Sequence, residues 1–183
     1  MRWEELFADL ESQLAAAERA EDEAQLEELA RAEAARLALL DRLAPAVGRS
    51  VRVRVLGGGV VAGQLRDYAA TWLLLAEGGD ELLVPLDAVG SISGLGREAT
   101  PPGSAGPLRR RLGLAHVLRG IARDRSRVLA TLRDGTVLTG TLDRVGADFV
   151  ELAEHPLDEW RRPDQVSAVL VVPFAALAVL RRR

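Results

Sequence analysis

The residues with the clearest chemical potential are arginines clustered in one stretch of the chain. Seven of the 24 arginines fall between residues 108 and 127, where Asp124 is the only acidic residue. Guanidinium groups held close together bind phosphate or carboxylate groups, so this segment could contact a nucleic acid or an acidic protein surface. The candidate residues are Arg109, Arg110, Arg111, Arg119, Arg123 and Arg127, and we expect Arg119, Arg123 and Arg127 to share one helix face.

A second arginine cluster and one tryptophan add to this candidate set. Arg181, Arg182 and Arg183 follow the last predicted strand and either extend the basic patch or guard an exposed strand edge against aggregation. Trp160 next to Arg161 is either a binding hot spot or the buried anchor of a loop. A solvated surface is the alternative for the basic segment, because a chain without Lys or Asn is typical of a GC-rich genome that enriches Arg.

Catalytic chemistry finds little support among the residue types present. The absence of Cys excludes disulfides, thiol nucleophiles and Cys-based zinc sites, and the only histidines are His116 and His155. The glycine-rich stretch 57–63 fits neither the dinucleotide-binding nor the Walker pattern and is better explained as a hairpin turn. We therefore predict a non-enzymatic protein with no metal, no cofactor and no small-molecule substrate.

Length and composition indicate an ordinary globular protein. The chain has 183 residues, of which 48% are hydrophobic and 28% charged. No apolar run is long enough to span a membrane, and the first residues lack the apolar core of a secretory signal. We therefore expect a cytoplasmic protein that does not bind membranes.

An internal duplication organises most of the sequence. Residues 51–77 align without a gap to residues 128–154, and nine of the 27 positions are identical. The match resumes between 82–89 and 170–177, after an 11-residue insertion in the second copy that contains Trp160. Each copy alternates apolar and polar residues and then reaches a turn, at 57–59 in the first copy and at Asp134-Gly135 in the second.

These patterns predict an α+β, mainly β chain. An acidic helical arm covers residues 1–46, with twelve acidic residues and five arginines, as two helices or one bent helix. A first five-stranded barrel covers 47–93, a Gly/Pro-rich linker 94–107, and a leading helix with a second barrel 108–183. We also expect a helix before the first barrel.

The segment 128–154 carries a family resemblance. Its glycine-centred second strand and the Asp148-Phe149 pair that starts the third strand resemble the first motif of Sm-like proteins. The resemblance implies two tandem Sm/SH3-like barrels. The residues with which Sm proteins hold RNA are replaced, since Val150 and Glu151 follow the pair and the chain has no Asn. The whole chain also resembles an actinobacterial family whose members are sometimes labelled Fis-like regulators.

Two functions remain open at this stage. The first is a protein-interaction or scaffold module, in which the arm pairs within or between chains and strand edges add neighbours by β-pairing. The alternative is an RNA- or DNA-binding regulator that uses the arginine clusters. The acidic net charge of −3 and the missing Sm pocket residues favour the first.

Overall fold

A computed structural model of the chain describes residues 3–57, 59–104, 106, 109, 111–156 and 166–183. The fold is α+β and mainly β, with one long helix followed by a ten-stranded antiparallel sheet. The helices are α1 (Trp3–Ala34), α2 (Leu39–Leu43) and α3 (Leu114–Arg123). The strands of the first repeat are β1 (Ser50–Val55), β2 (Gly59–Ala69), β3 (Trp72–Glu77), β4 (Asp80–Pro85) and β5 (Val89–Ser93). Those of the second are β6 (Arg127–Leu132), β7 (Val137–Val145), β8 (Phe149–Glu154), β9 (Ala168–Pro173) and β10 (Leu177–Arg182).

The strand order of the sheet reproduces the sequence repeat. The order is β5-β1-β2-β3-β4-β10-β6-β7-β8-β9, so in each repeat the fifth strand pairs with the first. The two repeats join where β4 pairs with β10, with Leu83 opposite Leu180, Leu82 opposite Arg181 and Glu81 opposite Arg182. We call this junction the seam. It leaves β5 and β9 as the two outer strands of the sheet.

The predicted hairpin at Asp134-Gly135 is confirmed between β6 and β7. Gly135 has a φ of +88°, a conformation that glycine adopts without the steric cost of a Cβ atom. The backbone N–H of Thr136 donates a hydrogen bond to Oδ1 of Asp134 at 2.8 Å, which lowers the pKa of that carboxyl. Local turn chemistry thus places β6 against β7.

The glycines that both repeats retain in their second strands have a common structural reason. A Cβ atom on Gly140 would lie 1.9 Å from the backbone oxygen of Ala153, and one on Gly63 would lie 2.6 Å from that of Ala76. The third strand therefore passes too close to the second for any side chain at this position. This close approach explains why a glycine stands inside each of the two strands.

Each repeat contributes to the hydrophobic core of the other. The first cluster contains mostly side chains of β1 to β5, but Ala178 and Val179 of β10 belong to it as well. The second cluster packs α3 against β6 to β10 and also takes in Trp72 and Leu83 from the first repeat. The two repeats consequently form one compact unit, residues 39–183.

The acidic arm ends earlier than the predicted boundary at residue 46. Its compact unit covers residues 1–38, and α2 belongs to the sheet unit. The two-helix alternative rests on Asp22 and Gln25, which have the spacing of a capping box at the start of a second helix. A single helix runs through both residues and rules this alternative out. The surrounding residues are strong helix formers without Gly or Pro, so a capping pattern alone does not end the helix. No helix in the described part of the chain is both long enough and apolar enough to cross a membrane.

The predicted linker 94–107 is attached to the sheet unit along much of its length. The backbone N–H of Thr100 donates to the carbonyl oxygen of Asp41 at 2.9 Å, and the N–H of Gly103 donates to Oδ1 of the same residue at 3.2 Å. Glu98 forms an ion pair with Arg49, and Leu95 packs against the first cluster. These contacts hold this segment against the first repeat.

Replacing Gly140 by alanine tests the close approach of β7 and β8. We expect Gly140→Ala to lower the free energy of unfolding by about 3 kcal/mol, because the new methyl group overlaps the backbone of Ala153. Gly120→Ala is the matched control, since Gly120 lies inside α3 and a methyl group there would meet no atom within 4 Å. The free energy of unfolding of this control should rise by about 0.5–1 kcal/mol. Urea unfolding, monitored by circular dichroism, measures the free energy of unfolding of both variants. Equal changes in the two variants would contradict the close approach of β7 and β8.

Candidate interaction surfaces

The arginines at 181–183 lie at the seam. Arg181 donates through Nη2 to Oε2 of Glu77 at 2.8 Å and through Nη1 to Oδ2 of Asp80 at 3.0 Å. Both acceptors belong to the first repeat, whereas Arg181 belongs to the second. Because these two hydrogen-bonded carboxylates favour the charged guanidinium, the pKa of Arg181 is raised, and Asp80 makes the larger contribution.

The neighbouring arginines add to this set of ion pairs. Arg182 lies 3.5 Å from Glu81 of β4 and 3.0 Å from Asp124, and Arg183 lies 3.8 Å from Asp80. The expectation that this cluster guards an exposed strand edge is wrong, because β10 is paired on both sides, with β4 and with β6. The sequence could not reveal this, since the acidic partners lie about a hundred residues earlier.

Arg109 likewise pairs with the first repeat. Its Nη1 forms an ion pair with Asp67 and donates to the carbonyl oxygen of Tyr68 at 3.1 Å, while its guanidinium lies 4.4 Å from the centre of the Tyr68 ring. The carbonyl oxygen of Arg109 accepts from the N–H of Ala70 at 3.0 Å. Arg111 lies nearby in the chain and is exposed. Arg109 therefore serves to fasten the segment before α3 to β2.

The arginines of α3 remain on the surface. Arg119 and Arg123 are exposed, and Arg119 makes only a long hydrogen bond, 3.4 Å, to the carbonyl oxygen of Gly146 among its described contacts. Arg127 does not share their helix face, because α3 ends at Arg123 and Arg127 begins β6. Arg110, Trp160 and Arg161 lie outside the described residues.

Other contacts also join the two repeats. Trp72 is buried, and its Nε1 donates to the carbonyl oxygen of Leu112 at 3.0 Å, which links the first repeat to the segment before α3. Arg133 of the second repeat lies 2.8 Å from Asp87 of the first. A mainly apolar depression of about 400 Å³ lies beside these contacts, lined in part by Leu86, Leu114 and Phe174.

Catalytic and metal-binding arrangements gain no new support. His155 is buried with its Nδ1 2.9 Å from the carbonyl oxygen of Pro156, and His116 is exposed on α3. Within the residues that the structure describes, no three Asp, Glu or His side chains are grouped so that they could hold a metal ion.

Two exposed apolar surfaces stand out from the remaining chain. The first follows one side of α1 and consists of Trp3, Phe7, Leu10 and Leu14. Their spacing in the sequence predicts a stripe along one helix face, which would ordinarily face the protein core. The second consists of Val169 and Val171 on the outer strand β9. Their spacing of two was a usable signal, because alternate residues of a strand lie on the same face.

Comparison of the chain with protein-family models and with curated proteins finds no match. The surfaces described above are therefore the basis for assigning a function.

Removing the charge of Arg181 tests the seam. We expect Arg181→Met to lower the free energy of unfolding by about 1–2 kcal/mol, because its side chain is only 29% exposed and Asp80 and Glu77 lose their main partner. Arg144→Met is the control, since Arg144 is 74% exposed, pairs with Glu151 at 3.4 Å and should matter by less than about 0.5 kcal/mol. Thermal and urea unfolding measure the stability of both variants. Equal losses of stability in Arg181→Met and Arg144→Met would contradict the role of Arg181 at the seam.

Proposed function

We propose that the chain is a non-enzymatic protein-interaction module, in which two small Sm/SH3-like β-barrels carry an acidic helix that docks into a groove on a partner protein. The observation that carries the proposal is the exposed apolar stripe of α1. The arm and the sheet unit each form a compact unit of their own.

The connection between β4 and β5 supports the barrel part of the proposal. Four strand spacings separate β4 from β5 in the sheet order, which is about 19 Å in a flat sheet. Only Leu86–Ala88 connect them, and such a short connection spans at most about 14 Å. The sheet must therefore curl. The same argument applies to Phe174–Ala176 between β9 and β10.

The spacing of the stripe on α1 is that of a helix that docks through one face. Trp3, Phe7, Leu10 and Leu14 recur at intervals of four, three and four residues, which is the spacing of the contact residues in packed helices. Trp3 is 76% exposed and the other three are also largely open to solvent. A long helix gains most of its stability from packing an apolar face, so a partner that covers this stripe also stabilises the helix.

The charge of α1 defines the chemistry of the partner. Eleven acidic residues and two arginines lie between Trp3 and Ala34. Arg31 pairs with Glu27 on the same helix, and Arg19 donates to the carbonyl oxygen of Ala15, so both arginines make local contacts. A groove with an apolar floor and a basic rim complements this helix. Pairing of two such helices would instead bring like charges together.

The placement of the arginines weakens the nucleic-acid alternative. Arg109, Arg181 and Arg182 each pair with a carboxylate of this chain, which lowers the positive charge available to phosphates. Arg119 and Arg123 are the exposed pair that still favours binding of RNA or DNA. Both functions can be tested with the same set of variants.

Binding to defined nucleic acids separates the two functions. We expect a 30-nucleotide single-stranded RNA and a 30-base-pair DNA to show no saturable binding to the full chain in 50 mM salt, measured by fluorescence anisotropy. Binding that falls steeply with salt and is lost in Arg119→Glu/Arg123→Glu would overturn the proposal in favour of the alternative.

A second measurement tests the docking helix directly. A protein that co-purifies with the full chain is itself purified, and its affinity for the full chain is measured by calorimetry. We expect Phe7→Glu/Leu10→Glu to weaken binding about 30-fold or more, since charged side chains replace two central apolar anchors. Arg119→Glu/Arg123→Glu is the control and should leave the affinity unchanged. Equal affinities for wild type and Phe7→Glu/Leu10→Glu would contradict a role for α1.

A further inference from the structure

We infer that the second repeat contains a binding site for a small tetrahedral oxyanion, which is a free phosphate or sulfate ion or a phosphate monoester. The site lies between the end of α3 and β7. It belongs to the sheet unit and is independent of the partner that α1 binds.

A cavity of about 240 Å³ lies between the end of α3 and the middle of β7. It is lined by Ala122, Arg123 and Arg125 on one side and by Thr141, Leu142 and Asp143 on the other. Because a water molecule takes up about 30 Å³, the cavity has room for a small ion together with several waters. Its hydroxyl and its two guanidinium groups are donors that bind the oxygen atoms of anions.

The hydroxyl of Thr141 has no hydrogen-bond partner in the described part of the chain. Thr141 is only 3% exposed, and its neighbour across the strand pair is Ala153, whose methyl side chain offers no acceptor. A buried hydroxyl without a partner costs free energy, and most such groups in folded proteins are paired. Because Thr141 lines the cavity, a ligand bound there supplies the missing partner.

The first repeat shows how the same position is satisfied within the chain. At the offset of 77 residues, Thr141 corresponds to Gln64 and Arg125 corresponds to Gly48. Nε2 of Gln64 donates to the carbonyl oxygen of Gly48 at 2.7 Å. The second repeat has a shorter side chain, an unpartnered hydroxyl and a cavity where the first repeat has this hydrogen bond.

The comparison of the repeats also brings two arginines to the cavity. Arg125 stands in place of Gly48, and Arg123 stands in place of Ala46, which belongs to the core of the first repeat. Both arginines are exposed, and neither has a hydrogen bond or an ion pair among the contacts of the described residues. Two positive charges have therefore been placed at a position that is uncharged in the first repeat.

The backbone at Arg125 is a further sign that its side chain is used. Arg125 has a φ of +51° and is the only residue other than glycine with a positive φ in the described part of the chain. Its N–H donates to the carbonyl oxygen of Ala122, and the N–H of Ser126 donates to that of Ile121, a pattern that usually has glycine at this position. Gly48 has a φ of +87°. The turn alone therefore favours glycine, whereas an anion in the cavity favours arginine.

The groups that would repel an anion are largely compensated. The carbonyl oxygens of residues 120–122, at the negative end of α3, each accept a backbone hydrogen bond from residues 124–126. Asp124 pairs with Arg182 at 3.0 Å. Asp143 is the one carboxylate in the lining, and the two guanidinium groups outnumber it. The cavity therefore retains a net positive charge.

The arrangement of donors selects among the candidate ligands. A water molecule would satisfy the hydroxyl of Thr141 but would leave both guanidinium groups without a counter-charge. Phosphate, sulfate and phosphate monoesters present three or four terminal oxygens, so one ion can accept from the hydroxyl and from both arginines. A nucleic-acid phosphodiester has only two terminal oxygens and carries a chain on each of the other two. A small oxyanion thus matches the cavity better.

Calorimetric titration of the full chain with inorganic phosphate, and separately with sulfate, tests the site. In a buffer of low ionic strength without other oxyanions, we expect saturable binding with a dissociation constant of about 1 mM or below. Glycerol phosphate is the third titrant. Tighter binding than that of inorganic phosphate would identify a monoester as the source of the anion, and weaker binding would identify the free ion. Either order supports the site.

Two variants remove the donors while preserving the fold. Arg125→Gly should weaken phosphate binding by about tenfold or more, because one guanidinium group is lost. It should also raise the Tm of the free chain, since glycine suits the turn. Thr141→Val should weaken binding by about fivefold or more and leave the free chain at least as stable, because it removes an unpartnered buried hydroxyl. A purely structural role of these residues would not give this opposite behaviour of affinity and stability.

Arg54→Ala is the control for overall charge, since Arg54 is an exposed arginine on β1 of the first repeat. It should leave the dissociation constant within about twofold of the wild-type value. Absence of saturable phosphate and sulfate binding by the wild-type chain up to about 20 mM would overturn the inference. Equal affinities for wild type and either Arg125→Gly or Thr141→Val would do so as well, because the ion would then bind elsewhere. Binding of a 30-nucleotide RNA that Arg125→Gly abolishes, without binding of free phosphate, would replace the site by a nucleic-acid contact.

Discussion

The pairing of β4 with β10 is the interaction on which the rest of the sheet unit depends. It joins two repeats into one sheet, places side chains of each repeat in the core of the other, and leaves β5 and β9 as the outer strands. Main-chain hydrogen bonds provide the alignment, buried leucines provide most of the stabilisation, and the ion pairs of Arg181 fix one end of the junction. Without this pairing, Leu83 and Val179 would face water.

Features that depend on local chemistry could be predicted from the sequence. The turn at Asp134-Gly135 and the prolines that end β4 and β9 follow from the conformations available to single residues. The glycines of the second strands are marked by their retention in both repeats. The repeat itself also predicted which strands would correspond. These signals are contained within a few residues or in a direct comparison of two segments.

The roles of the arginines could not be predicted in the same way. A guanidinium group pairs with whichever carboxylate the fold brings near, and Arg181 finds Asp80 at a separation of 101 positions. Composition describes how much charge a segment carries and not whether that charge is already neutralised. The arginines whose clustering best suited them to bind phosphates are thus divided between contacts of the seam and the open surface of α3.

The position of β10 in chain order has a consequence for biosynthesis. It is made after the other nine strands of the sheet, yet Ala178 and Val179 complete the first cluster and Leu177 and Leu180 the second. At ordinary translation rates, the interval between β4 and β10 lasts on the order of 5–20 s. Throughout that interval, the ribosome carries a first repeat whose β4 edge is open and whose core is unfinished. Crowded polysomes would make this nascent stage the one most exposed to misassembly between neighbouring chains, and a chaperone that shields strand edges would act there.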